Sequence, residues 1–180
     1  VFDWGGGTLD LTLCKVVDGA LVQILNRGNN MVGGDYLDDA ILTYVADQHA
    51  AKFNWTAETK PPANPGMRAK LLTQCERAKI TLSTRDKTHI FLPDFYQGEN
   101  EEETEIDVWL TRAELEKICA RLIYQGINEI DALLASDKAD VDPQSLALCL
   151  ATGGMVNMPM IKSKLTEYFG VSGLHISEKG

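Results

Sequence analysis

The chain opens on Val1-Phe2-Asp3-Trp4-Gly5-Gly6-Gly7-Thr8-Leu9-Asp10, in which three consecutive glycines lie between apolar, strand-like stretches. Asp3 precedes the glycines, Thr8 follows directly, and Asp10 lies two residues further on. Without Cβ atoms, such a turn brings backbone N–H groups close to an anion. Carboxylates and a hydroxyl beside it can hold a hydrated metal and a water, a combination that suits a nucleotide polyphosphate. Leu9, Leu11 and Leu13 alternate with polar or small residues and predict a strand. Asp18-Gly19 signals a hairpin, and Ala20–Leu25 predicts the returning strand. The glycine turn therefore leads into a strand and not a helix. That excludes the P-loop, which also needs Gly-Lys-Ser/Thr, and the dinucleotide fingerprint, whose glycines open a helix.

The 180 residues suit one domain or two small subdomains, and the 44% hydrophobic content supports a core. The chain lacks an initiator Met and Val1 already reads as strand interior, so it is expected to be an excised piece of a larger protein. No apolar run approaches the roughly 20 residues of a membrane helix, so no membrane partner is expected. The net charge of −9 argues against a nucleic-acid partner, which needs basic patches. Nucleotides remain compatible, since a glycine turn and one or two cations hold them locally. Cys14, Cys75, Cys119 and Cys149 are far apart in sequence, show no zinc spacing and lie in apolar segments. They read as small hydrophobes of a reducing compartment.

Gly33-Gly34 precedes Asp35, read as a helix N-cap, and Leu37, Ile41, Tyr44 and Val45 form the stripe of a helix to about Phe53. Residues 54 to 66 hold three prolines and read as a loop. The next helix is predicted over 67 to 83, with Leu71, Cys75, Ala78 and Leu82 as its core face. Glu76, Lys79 and Ser83 share a neighbouring face, which on spacing alone reads as solvated. Strands are predicted near 89 to 94 and 105 to 110, with the acidic run from Gly98 to Glu105 as an exposed hairpin tip. Thr111-Arg112-Ala113-Glu114 is a capping box opening a long helix striped by Leu115, Ile118, Cys119, Leu122, Ile127, Ile130 and Leu134. Leu146–Leu150 predicts a strand ending at Ala151-Thr152-Gly153-Gly154, followed by a helix over 159 to 169 and a short strand near 174 to 176. The class is α/β or α+β.

Three segments carry a family resemblance: Asp3 to Asp10, Cys75-Glu76-Arg77-Ala78-Lys79-Ile80-Thr81-Leu82-Ser83, and Thr152-Gly153-Gly154-Met155-Val156-Asn157-Met158-Pro159. Their order and spacing resemble the second lobe of the ATPase domain of the seventy-kilodalton heat-shock chaperones, the DnaK-type family. Val32-Gly33-Gly34-Asp35-Tyr36-Leu37-Asp38 is similar to that family's link between its two lobe-II subdomains. The glycine turn alone indicates only the wider actin, sugar-kinase and chaperone superfamily. The Glu-Arg-Ala-Lys to Leu-Ser segment narrows it.

The resemblance implies an α/β, actin-like (ribonuclease H-like) lobe, a mixed sheet with flanking helices, plus a small α+β subdomain. It places 1–34 with 112–180 in subdomain IIA and 35–111 in subdomain IIB. Gly5, Gly6, Gly7 and Thr8 would form the second phosphate loop of an ATP/ADP site. Asp3 would hold hydrated Mg2+ or K+, and Asp10 would bind cation or position the attacking water with Thr8. Asp3, Thr8 and Asp10 are thus the implied catalytic residues, since phosphoryl transfer needs positioning and charge neutralisation. Gly34, Glu76, Lys79, Ile80, Ser83, Gly153, Gly154, Met155 and Asn157 complete the implied nucleotide contacts. Glu76 and Lys79 would bond the ribose hydroxyls, Ser83 the adenine edge, and Gly153 and Gly154 the adenosine turn. The resemblance replaces the solvated-face reading of Glu76, Lys79 and Ser83. Ile80 and Asn157 stand where the family has arginines that sandwich adenine, removing a cation–π contribution of roughly 0.5–2 kcal/mol each. Met155 replaces a usual serine. The expectation is a divergent bacterial, cytoplasmic stress chaperone with weakened or altered adenine binding. Its implied partners are a nucleotide-exchange factor, a J-domain co-chaperone and unfolded peptides. The piece alone is expected not to hydrolyse ATP.

Overall fold

The computed structural model describes residues 1–177. Two compact units emerge, one comprising Val1–Tyr36 and the chain from Ala120 onward, the other Leu37–Cys119. The fold is mixed α/β with a mixed five-stranded sheet and flanking helices, the arrangement of the actin-like ATPase fold.

In the first unit the strands are β1 (Phe2–Trp4), β2 (Leu9–Val17), β3 (Ala20–Asn29), β6 (Cys149–Thr152) and β7 (Leu174–Ile176). They lie in the order β3-β2-β1-β6-β7. β1, β2 and β3 pair antiparallel, whereas β1–β6 and β6–β7 pair parallel. Phe2, Trp4, Leu9, Leu11 and Leu13 point into the core, as the period-2 alternation requires. The strand expected from Leu146 begins only at Cys149, because the ladder offers it partners from there on: Cys149 faces Leu174 and Ala151 faces Phe2. A 3-10 turn at Pro143–Ser145, capped by Asp142 Oδ1 accepting from Gln144 N at 2.9 Å, occupies the chain just before.

The remaining helices are α1 (Gly34–Lys52), α2 (Met67–Thr81), α3 (Glu101–Thr104), α4 (Arg112–Leu134) and α5 (Pro159–Phe169), with β4 (Lys87–Leu92) and β5 (Ile106–Thr111) as an antiparallel pair in the second unit. The capping box at Thr111 is reciprocal. Thr111 N donates to Glu114 Oε2 at 2.8 Å and Glu114 N to Thr111 Oγ1 at 3.2 Å. The buried seam of α4 departs from the expected stripe. It runs through Leu115, Cys119, Ile123, Gly126, Ile130 and Leu133–Leu134, while Ile118, Leu122 and Ile127 are half-buried. Gly126 belongs to the seam because the Trp4 ring lies on it; a Cβ there would come within 2.2 Å of the indole. Asp35 is not an N-cap but lies in the first turn of α1, which begins at Gly34. Ser83 lies beyond α2, which stops at Thr81 and runs out in tightened turns. Ser83 N bonds Ile80 O, Thr84 N and Arg85 N bond Thr81 O, and Arg112 Nε bonds Leu82 O.

The acidic connection between β4 and β5 contains the short helix α3 and is anchored as well as exposed. His49 Nε2 donates to Glu103 O at 3.1 Å, with the imidazole buried among Phe53, Trp55 and Tyr96. Its Nδ1 and the Tyr96 hydroxyl are buried with no hydrogen-bond partner among the described residues. Burial holds the His49 pKa below its ordinary 6.5; the Glu103 carbonyl and the charges of Asp107 and Glu105 oppose this, and Lys52 adds to it. Above pH 6.5 the ring is neutral whether the chain is folded or not. Below it, the unfolded chain takes a proton that the folded unit resists. Stability is therefore expected to fall as pH drops from 6.5 towards the folded pKa, by at most about 1.4 kcal/mol per pH unit. Urea midpoints at pH 7.5 and 5.5 measure this, and the drop should shrink in His49→Phe. An unchanged drop would remove His49 as its source.

All four cysteines are free. Burial pushes the thiols of Cys75 and Cys119 up to about 12 and that of Cys149 to about 11, as suits core hydrophobes. Cys14 is only half-buried. Among the described residues, no helix is long and apolar enough to cross a membrane.

Candidate functional site

The triple glycine and Thr8 form the loop between β1 and β2, closed by Gly5 N donating to Thr8 O at 3.0 Å. Two further bonds dock this loop on the start of α1. Gly34 N donates to Gly5 O at 3.1 Å and Asp35 N to Gly6 O at 2.9 Å. The docking needs Gly33, where a Cβ would sit 2.4 Å from Gly6 O. The loop's carbonyls are thus turned towards α1. The N–H groups of exposed Gly6 and Gly7 donate to no protein atom among the described residues. Backbone amides without a protein acceptor, exposed on a turn, are available to an anion.

Beside the loop, the sheet register builds a row across four strands. Thr152 of β6 faces Asp3 of β1, Asp3 faces Asp10 of β2, and Asp10 faces Gly28 of β3. Asp3 and Asp10 are exposed while their neighbours Phe2, Trp4, Leu9 and Leu11 are buried, so both carboxylates stand on one face. Like charges directly opposite each other destabilise a sheet unless a cation lies between. Thr8 Oγ1 donates to Asp10 Oδ2 at 2.6 Å, fixing that carboxylate. Its other oxygen lies over Gly28, where a Cβ would approach to 3.1 Å.

The Gly153 corner adjoins the same row. Gly153 has φ +91°, and a Cβ there would lie 2.3 Å from Trp4 O and 2.8 Å from Asp3 Oδ1. Gly154 starts a 3-10 turn, Gly154–Asn157, and is exposed, as is Asn157. Met155 is 3% exposed, so its side chain belongs to the core and any contact it makes outward is through backbone. Asp3, Gly5, Gly6, Gly7, Thr8, Asp10, Gly34, Gly153 and Gly154 therefore belong to one neighbourhood of the first unit. Among the described residues no three His, Cys, Asp or Glu side chains form a metal cage. Two carboxylates suffice for Mg2+, which keeps waters and takes phosphate oxygens as its other ligands.

In the second unit, α2 presents Glu76 and Ile80 to solvent, Ile80 at 61% exposure, and Ser83 follows half-buried. Lys79 does not belong to a solvated face. Its side chain is 10% exposed and its Nζ lies 2.7 Å from Asp38 Oδ1.

Sequence reasoning missed four residues that shape these places. Trp4, Gly28 and Gly33 act on the glycine loop and its carboxylates, and Asp38 holds Lys79. Only Gly33 carried a visible signal, as half of a diglycine before a helix. The others depend on strand register and helix packing.

The Hsp70 protein family model matches residues 1–175. The chaperone protein DnaK of Thermotoga neapolitana is 28% identical over 170 residues, covering 94% of this chain and 28% of its own length. The mitochondrial iron-sulfur cluster biogenesis chaperone of Saccharomyces cerevisiae is 30% identical over 172 residues, covering 96% of this chain and 25% of its own. DnaK of Thermosipho melanesiensis is 29% identical over 170 residues, covering 94% and 27%. The chain thus spans about a quarter of the length of these relatives. With the glycine loop, the facing aspartates and the diglycine corner all present in a mixed actin-like sheet, the chain belongs to the Hsp70 family.

Proposed function

We propose that this chain is lobe II of the ATP-binding domain of an Hsp70-type chaperone. The observation that carries the reading is the Asp3–Asp10 pair, set directly across two strands beside a loop whose Gly6 and Gly7 amides donate to no protein atom among the described residues. Facing carboxylates favour a cation, free amides favour an anion, and Mg2+ with a polyphosphate meets both demands at once. Gly5, Gly6, Gly7 and Thr8 are assigned to the β- and γ-phosphates, and Asp3 and Asp10 to hydrated Mg2+ or K+. Bound Mg2+ would neutralise charge developing on the transferred phosphoryl group. Asp10, whose carboxylate accepts from Thr8, is assigned to orient the attacking water. Gly34, Gly153, Gly154, Met155 and Asn157 are assigned to the nucleotide as well, Met155 through its backbone.

In the second unit, Glu76, Lys79, Ile80 and Ser83 are assigned to the nucleoside. Ile80 and Asn157 each stand where the family resemblance implies an arginine, and each substitution would remove a cation–π contribution to adenine binding. We assign 1–34 with 112–180 to subdomain IIA and 35–111 to IIB. In the intact protein, ATP hydrolysis would drive binding and release of unfolded peptides, with a J-domain co-chaperone and an exchange factor as partners. We place this in the cytoplasm of a bacterium, in the stress response. The chain by itself would bind nucleotide weakly and not turn it over. Family membership sets aside two other members of the superfamily that the glycine turn indicates, a sugar kinase and a filament-forming cytoskeletal ATPase. A non-hydrolysing scaffold keeps one observation in its favour, the exposed Ile80.

Titration calorimetry on the intact protein tests the reading. Asp3→Asn and Asp10→Asn should each weaken Mg2+-dependent ATP binding about 10- to 100-fold, the worth of a hydrogen bond to a charged group, while leaving adenosine binding intact. Unchanged ATP affinity in both variants would sink it. ATP binding without turnover above these variants would favour the scaffold.

A further inference from the structure

Trp4 is fully buried, yet it is the residue immediately before the glycine loop. Its indole Nε1 donates to Val32 O at 2.8 Å, reaching 28 residues along the chain. Val32 directly precedes the Gly33-Gly34 corner, on which the loop docks through Gly34 N to Gly5 O and Asp35 N to Gly6 O. The far edge of the same ring lies on Gly126 of α4, and the ring meets Phe2 edge-on, with centroids 5.8 Å apart and planes at 74°. The Trp4 carbonyl in turn backs onto Gly153. One residue therefore ties together the strand that carries Asp3, the corner on which the loop rests, and the helix behind both. No smaller apolar residue could do this, since the bond to Val32 O needs a buried donor at the far end of a large ring.

We propose that Trp4 is a positioning residue that holds the glycine loop docked on the Gly33-Gly34 corner, in the shape that takes a polyphosphate. The second half of that statement rests on the nucleotide reading above. Trp4 touches no reacting atom. Removing its donor leaves Val32 O buried and unpaired, and the corner is then free to shift away from the loop.

Two variants test this in the intact protein. Trp4→Phe keeps an aromatic ring but loses the N–H. Gly126→Ala pushes on the indole from α4 and leaves the loop sequence alone. The first readout is hydrogen exchange of the Gly34 and Asp35 amides, which are protected by the loop carbonyls. Both variants should speed their exchange about tenfold, the worth of one net hydrogen bond, relative to amides of α5. The second is affinity for ATP with Mg2+, which should fall about tenfold while adenosine affinity stays put. Exchange that stays at the wild-type rate, or rises equally in α5, overturns the proposal. So does an equal loss for ATP and adenosine, since a merely structural tryptophan would weaken both. If the unaltered protein binds neither ligand, the nucleotide reading fails, and the exchange data alone decide whether Trp4 docks the loop.

Discussion

Asp38→Ala is expected to destabilise the second unit by about 3–5 kcal/mol, because it takes the carboxylate away from a buried ammonium. The Lys79 and Asp38 side chains are 10% and 6% exposed, and Nζ and Oδ1 are 2.7 Å apart. The pair joins α1 to α2 beside Cys75 and Cys119; burial raises both thiol pKa values, the Asp38 charge adds to this, and Lys79 opposes it at Cys119. Lys79→Met should cost a similar amount for the mirror-image reason. The double variant Asp38→Leu, Lys79→Met should recover most of the loss, since well-packed apolar residues can replace a buried ion pair at little cost. Urea unfolding of the wild type and the three variants measures each of these effects. The exposed Arg68–Asp39 pair, at 2.9 Å, is the control, and breaking it should cost well under about 1 kcal/mol. If Asp38→Ala is as mild as that control, the pair does not hold the unit together.

Lys79 also shows where sequence reading stops. Helical spacing puts Glu76, Lys79 and Ser83 on one face, and a face of charged residues next to an apolar stripe is ordinarily solvated. Which edge of that face meets α1 is decided by packing between segments some forty residues apart, and nothing near Lys79 encodes it. The end of α2 was equally hidden. Past Thr81 the chain leaves the helix through short turns, and the Leu82 carbonyl is met by Arg112, thirty residues later. In α4 the expected stripe missed Ile123 and Gly126. A glycine does not count as apolar in a periodicity, and only the Trp4 ring above it shows why the seam passes there.

The first strands were legible because their determinants are local. Leu9, Leu11 and Leu13 alternate, Asp18-Gly19 turns, and the glycines stand between two aspartates in ten residues of sequence. The Thr111 box was legible for the same reason, and both of its predicted bonds form. The facing of Asp3 and Asp10 lay between these cases. Their proximity followed from the turn. The row from Thr152 to Gly28 needed the register of four strands, two of which are separated by most of the chain. The Leu146–Leu148 run misled because a short apolar stretch reads as a strand whether or not a partner strand exists to receive it.

Gly153→Ala is expected to have the largest combined effect on folding and on the site. Its φ of +91° is one that side-chain-bearing residues adopt only under strain, at about 1–3 kcal/mol. The new Cβ would also lie 2.3 Å from Trp4 O and 2.8 Å from Asp3 Oδ1, both of which must yield. Overpacking of this kind costs about 1–3 kcal/mol more. The structure has two ways out: the end of β6 withdraws from β1, or the Asp3 carboxylate turns aside. A turned carboxylate no longer faces Asp10, and a withdrawn β6 takes Thr152 and the Gly153 corner away from Asp3, so Mg2+-dependent ATP binding should weaken about 10- to 100-fold, as when the support of a metal ligand is disturbed. Gly154→Ala is the matched comparison, one residue along. A Cβ there meets nothing within 4 Å, so its effect on stability should stay within about 0.5 kcal/mol. Thermal unfolding and ATP titration of the two variants side by side separate a requirement for this one bare backbone position from a general need for glycine in the corner. Equal behaviour of the two would show that the close approach of Gly153 to Asp3 does not shape the site.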